Sequence, residues 1–236
     1  PLIRAMGGTF FTFEHGQPTG CQPFQRDVTP ARIGFWNALV KQCLHNPQLP
    51  LLPHDHEAIA RAVNTVAAMK NPHLRCFETL QQSLPRDGVN SLFNRLARWC
   101  PGGELDWVFS GDDKLLRVNQ FQAIGFDYTK FLDSDAVRVP VMMYLLNVTD
   151  ELVNGDPLIY HVAEAWKALG DASFAEFVKN GQKTIRKKNG LGIFDTQEVK
   201  DLVENANGRT MIEQSVTKII LPNADAKRED YIDGLG

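Results

Sequence analysis

Residues 158–171 read LIYHVAEAWKALGD, and this stretch decides the fold. An apolar run from Leu158 to Ala163 stops at a lone acid, Glu164, and turns amphipathic with Trp166 in its first turn. An apolar run of that length is a strand, and the segment after it has helical periodicity. The same alternation continues downstream. SFAEFVKNGQKTIRKK (173–188) reads as a helix closed by Asn189-Gly190, LGIFD (191–195) as a strand and QEVKDLVENA (197–206) as a helix. VTKIIL (216–221) reads as a strand and ADAKREDYI (224–232) as a short helix. Upstream, QFQAIGFDY (120–128) is a strand, and SDAVRVPVMMYLLNVTDELV (134–153) is a long helix with Ser134 as its N-cap. Short apolar strands joined by amphipathic helices imply a parallel sheet with right-handed crossovers.

The first half has another texture. After a strand at TFFTF (9–13) and a Gly/Pro loop, EHGQPTGCQP (14–23), helical pattern dominates. Ile33, Trp36, Leu39, Val40 and Leu44 share one face of a helix, Ile59, Ala62, Val63 and Val66 that of a second, and Leu92, Leu96 and Trp99 that of a third. The expectation is an α/β core with an all-helical insert: residues 1–26 as the first strand and loop of the core, 27–112 as the insert and 113–236 as the remaining core. Trp36, Trp99 and Trp107 are expected to pack the insert.

Composition narrows the function classes. The chain has 236 residues and a net charge of -3, so bulk electrostatics give no reason for tight nucleic-acid binding. No uninterrupted apolar run approaches the roughly 20 residues of a membrane span. The four cysteines are widely spaced, without a C-x-x-C pair, and read as reduced structural thiols. HDHE at 54–57 imitates a metal cluster, but Asp55 suits a helix N-cap and no third ligand is in view. His161, inside an apolar strand, reads as a hydrogen-bonded core histidine.

In open parallel sheets, ligands bind beyond the carboxyl ends of the strands. There the sequence places Glu164, then Asp195, Thr196 and Gln197, with Asp127 and Asn223 at two further ends. A carboxylate and a glutamine at consecutive strand ends can converge on one bound group. The alternative is that strand ends are polar because they meet solvent.

Here the chain resembles the type IV secretion and conjugal-transfer ATPases, the TrbE/CagE-like family. The resemblance runs through AEAWKALGD (163–171), FDTQE (194–198) and RTMIEQSVTKIILPN (209–223), and upstream through PVMMYLLNVTDELVNGDP (140–157), SLFNRLARWCPGGE (91–104) and GGTFFTFEHGQPTGCQPFQ (7–25). It implies a RecA-like P-loop core with a helical insert, and ATP with Mg²⁺ as cofactors. Glu164 matches the water-activating glutamate of the family's Asp-Glu motif; Ala163 stands where the aspartate should be. Gln197 matches the phosphate-sensing glutamine. Asp195 replaces a small residue before Thr196, and can substitute in part for the missing acid. Arg186 is either a helix-end cation or a residue facing a neighbouring subunit's nucleotide, with Arg209 a weaker candidate for that task. Gln214, Lys218 and Asn223 fall in the last motif, coupling the site to the subunit interface. Gln22 replaces a common asparagine, in a loop placed near either the nucleotide or the insert.

The resemblance further implies a homo-oligomer, a hexameric ring, peripheral to the bacterial inner membrane on its cytoplasmic side. Other type IV secretion components would be partners, with DNA or relaxosome contact through the assembly. The phosphate loop G-x-x-x-x-G-K-[ST] occurs nowhere in these residues. In the family it lies upstream of the position of Pro1, so the chain is expected to be a piece cut at both ends. Two readings stand: an ATPase that powers pilus assembly and substrate transfer, or a degenerate assembly subunit without turnover. A DNA-pumping coupling protein on the same fold fits less well.

Overall fold

The computed structural model describes residues 2–111, 122–132, 134–164, 175, 179, 185–196, 199–222 and 231–232. The chain divides into two compact units, Pro1–Val148 and Thr149–Gly236.

In the first unit a short helix α1 (Leu2–Ala5) leads into β1 (Thr9–Thr12), which pairs in parallel with β2 (Ile124–Asp127), Thr9 opposite Ile124. Parallel pairing of strands so far apart needs a long crossover. The described part of that crossover is helical: α2 (Pro30–Cys43), α3 (Pro53–Ala67), α4 (Phe77–Gln82) and α5 (Leu92–Leu96), with short 3₁₀ turns between. Thr29 caps α2 by accepting the Arg32 N–H, with Pro30 at the first helical position. Trp36, Leu39, Val40 and Leu44 are buried, as are Ile59, Ala62, Val63 and Val66, and Leu92, Leu96 and Trp99. Rings fill the space between them. Phe24 meets Trp36 edge-on at 5.4 Å and Phe77 at 4.9 Å, and Phe77 stacks on Phe109 at 5.3 Å. Each buried indole N–H has a carbonyl: Trp36 donates to Pro23 (2.8 Å) and Trp99 to Cys43 (2.9 Å).

Two local expectations change. Helix α3 begins at Pro53, so Leu52 is its N-cap and Asp55 sits three positions further in, its carboxylate accepting the Leu52 N–H at 2.8 Å. Proline's fixed φ starts the helix earlier than the acid alone suggests. The 17–22 loop lies along the helical segment: Thr19 N–H donates to Trp107 O, Gly20 N–H to Ser110 O and the Gln22 side-chain amide to Gly111 O. Gln22 is thereby seated against residues 107–111. All four cysteines are free thiols, and burial pushes Cys43 upward and Cys100 to about 12, so neither ionises at neutral pH.

Helix α6 (Asp135–Leu152) starts directly after Ser134, whose carbonyl accepts from Val137 and Arg138. In the second unit, β3 (Leu158–Val162) and β4 (Gly190–Phe194) pair in parallel, Leu158 opposite Gly190 and Val162 opposite Phe194. Asn189, at φ 64°, ends the preceding 3₁₀ turn Arg186–Lys188 in the left-handed conformation. The face carrying Ile159, His161, Leu191 and Ile193 is exposed, while Tyr160 and Phe194 meet edge-on at 5.8 Å on the other.

Two helices follow, α7 (Val199–Val203) and α8 (Ala206–Gln214). The second has no counterpart in the sequence reading, because Gly208 lowers helix propensity there. Gly208 is required by packing: a Cβ at that position would lie 2.2 Å from the Leu202 carbonyl oxygen. The expected strand VTKIIL does not form. Residues 216–221 have no regular structure, and Val216, Ile219, Ile220 and Leu221 are exposed. β-Branched residues favour a strand only where a ladder partner exists. Most of the helix expected over 173–188, and most of that over 224–232, lies outside the described residues.

Candidate functional site at the ends of β3 and β4

The register of β3 on β4 builds the site. With Val162 opposite Phe194, the residues that follow each strand, Ala163-Glu164 and Asp195-Thr196, emerge side by side at the carboxyl end. The ladder extends one step further, with Asp195 N–H donating to Val162 O at 3.4 Å. A turn follows at 163–164, and Glu164 adopts φ 54° in it. A left-handed backbone is uncommon for a residue other than glycine, and it clusters where structure elsewhere enforces it.

Asp195 is the group that meets this turn. Its Oδ1 accepts the Glu164 backbone N–H at 3.2 Å, and its Oδ2 lies 2.8 Å from His161 Nε2. His161 is therefore hydrogen-bonded, as read from the sequence, but it is not a core residue: it and Asp195 each have 52% of the side chain exposed. The period of two along β3 explains this, because His161 shares a face with the exposed Ile159. Ala163 is exposed and supplies neither charge nor acceptor; Glu164 and Thr196 are half-buried.

The remaining candidates separate by position. Arg186 lies in the 3₁₀ turn before β4, whereas Asp195 lies after it. The five residues of β4 put about 16 Å between those two ends. Arg186 thus stands at the amino end of the strand pair, and Glu164 at the carboxyl end. Gln214 is the last residue of α8, which packs on α7, and its buried Oε1 has no hydrogen-bond partner. An unspent buried acceptor of that kind calls for a partner from elsewhere. Arg209 Nε donates to Val203 O, closing the end of α7. Lys218 is exposed in the irregular segment. Gln197 and Asn223 lie outside the described residues.

Sequence reasoning missed His161 as a member of the strand-end cluster. The signal was present: in parallel strands positions two apart share a face, so His161, opposite Ile193, lies on the face from which Asp195 emerges. Among the described residues, no group of three or more His, Cys, Asp or Glu side chains could hold a metal ion. Nor is any described helix long and apolar enough to cross a membrane.

The donor chemistry of this cluster fits one side of a magnesium–nucleotide site. Glu164 offers a carboxylate that accepts from water, and Thr196 a hydroxyl that donates. The phosphate cradle, a glycine-rich loop with its lysine, is not among these 236 residues.

Comparison with known proteins identifies the family. The model of the TraG P-loop domain family matches residues 55–230. The type IV secretion system protein virB4 of Brucella abortus (strain 2308) is 36% identical over 243 residues, covering 98% of this chain and 29% of the relative. PtlC of Bordetella pertussis, also a type IV secretion system protein, is 37% identical over 240 residues, with 98% and 29% covered. The chain thus spans less than a third of the length of the curated relatives it matches. Among solved structures, VirB4 of Thermoanaerobacter pseudethanolicus superposes with a TM-score of 0.67 at 18% identity, covering 89% of this chain and 63% of that one. At that identity the likeness speaks for the fold, an α/β P-loop architecture.

Proposed function

The chain belongs to the TraG P-loop domain family, and from that premise we propose that it is part of the motor of a type IV secretion ATPase, hydrolysing ATP to drive pilus assembly and substrate transfer. The observation that carries this reading is the convergence of Glu164 with Asp195 and Thr196 at the carboxyl end of a parallel strand pair. ATP with Mg²⁺, when bound, supplies the scissile phosphoanhydride and the cation that offsets its charge. Glu164 then orients the attacking water and takes its proton, as a carboxylate within reach of a water does. By the family pattern Gln197, next to Thr196, is assigned the sensing of the terminal phosphate, and Gln214, Lys218 and Asn223 the coupling of the site to a neighbouring copy. The insert is assigned to residues 27–112.

Arg186 has a place in this scheme only in trans. Standing about 16 Å along the strand from Asp195, it serves the site of the next subunit, which favours a ring; six copies is the number we propose. A guanidinium delivered that way stabilises charge on the transferring phosphate. The assembly is placed at the cytoplasmic face of the inner membrane among other secretion components, contacting transferred DNA or relaxosome through the complex.

Ala163 supports a second reading, a subunit that keeps the fold without turnover. An aspartate there would add a charge-assisted contact to the waters around Mg²⁺, worth about 1.5–3 kcal/mol. ATP turnover by the protein as encoded in its gene tests both. The motor reading predicts measurable turnover that rises about tenfold or more in Ala163→Asp. Turnover indistinguishable from background, unchanged by Ala163→Asp, would instead establish the non-hydrolysing subunit.

A further inference from the structure

We propose that Asp195 is a positioning residue for Glu164: steadied by His161, its carboxylate holds the turn after β3 in the conformation that aims the Glu164 side chain. The inference rests on the reading of Glu164 as the water-activating group and adds what sets that group's direction. A glutamate at φ 54° does not keep that backbone unaided, because its Cβ crowds the following carbonyl. A contact from 31 residues away opposes relaxation: the Glu164 N–H donates to Asp195 Oδ1, which pins the peptide plane about which that φ is measured. Asp195 itself has little freedom. Its own N–H is tied to Val162 O, and its second oxygen to the His161 ring. Strand end, turn and neighbouring strand thus close on one carboxylate.

The exposure of the pair argues that its value is geometric. With both side chains 52% exposed, the His161–Asp195 contact adds little to stability. The rival role for Asp195 is to replace the acid missing at Ala163 by accepting from the waters of Mg²⁺. Both of its oxygens are already directed at β3 and the turn after it, so the clamp is the role its contacts describe.

The test uses Asp195→Ala, Asp195→Asn and His161→Ala in the protein as encoded, with steady-state ATP turnover and amide exchange at Glu164 as independent readouts. Misaiming a catalytic group lowers kcat and spares binding, so Asp195→Ala is expected to lose about 10–100-fold in kcat while KM for ATP moves less than about threefold. Asp195→Asn keeps an oxygen for the Glu164 N–H and should stay within about threefold of the parent, with His161→Ala between the two. Exchange of the Glu164 amide should accelerate in Asp195→Ala and not in Asp195→Asn. Unchanged exchange in Asp195→Ala overturns the clamp. So does an asparagine variant as impaired as the alanine one that also needs more Mg²⁺ for half-maximal turnover, since that marks a direct role. If Glu164→Gln retains full turnover, the catalytic reading of Glu164 falls by itself, and the exchange measurement still decides the clamp.

Discussion

Gly192→Ala perturbs the strand pair on which the site is built, and its cost can be worked from the packing. Gly192 sits opposite Tyr160 in the parallel register. A Cβ at that position would lie 2.8 Å from both Cζ and the hydroxyl of Tyr160, and 3.1 Å from Cε2 of Phe194. Distances under 3.0 Å are not tolerated, so the tyrosine ring must move. Its edge-to-face contact with Phe194, at 5.8 Å and 87°, then goes with it. Losing such a ring pair costs about 0.5–1.5 kcal/mol, and overpacking a well-filled contact about 1–3 kcal/mol. Because the far end of a tyrosine can yield, the lower part of that range applies, about 1–2 kcal/mol in all. Thermal unfolding should therefore drop by about 2–8 °C for a chain of this size. A double-mutant cycle with Tyr160→Leu isolates the clash: with the ring gone the methyl has room, and the coupling should exceed about 0.5 kcal/mol. A melting midpoint unmoved by Gly192→Ala, or a cycle without coupling, would refute the claim that this glycine is there to seat Tyr160.

Three further outcomes follow from named contacts. Trp36→Phe removes the indole N–H from the buried Pro23 carbonyl and should cost about 1–3 kcal/mol in denaturant unfolding. Burial raises the carboxyl of Asp150 above its usual range, with Lys188 opposing it, so the ionised form weighs against folding at neutral pH. Asp150→Asn should accordingly stabilise the protein at pH 7, and the gain should shrink as the pH falls through the raised folded value and vanish below about 4, where folded and unfolded carboxyls are both protonated. Burial, with Asp150 nearby, pushes the Tyr160 hydroxyl up to about 12. The folded state then holds a proton that the unfolded chain releases near pH 10, so stability is present below about 10 and declines from there to about 12. Tyr160→Phe should flatten that part of the alkaline decline.

Periodicity carried much of the fold. The apolar faces of α2 and α3 were legible because a 3.6-residue repeat marks the buried stripe whatever it packs against; every expected position is buried except Ile33, which is half-buried, and Phe35, Cys43 and Ala58 are buried beside them. The parallel pairing of β3 with β4 was legible from strands separated by helical sequence. What failed depends on partners. VTKIIL has the composition of a strand, yet pairing is a relation between segments and composition does not contain it. At Gly208 the opposite happened: a residue that weakens a helix locally is demanded by the close approach of Leu202. Of the site, Glu164 and Asp195 could be placed at strand ends from sequence alone. The left-handed turn could not, since it occurs at a glutamate without the Gly or Asn that announces such a conformation, and the part played by His161 depends on which face of β3 is left uncovered.

The central claim is that Glu164 activates water at a nucleotide bound beyond β3 and β4. Its most direct measurement is ATP turnover by the protein as encoded, with and without Glu164→Gln, an exchange that keeps shape and removes the base. The account predicts a fall in kcat of about 100-fold or more with KM for ATP nearly unchanged. Equal turnover by the two proteins would contradict it.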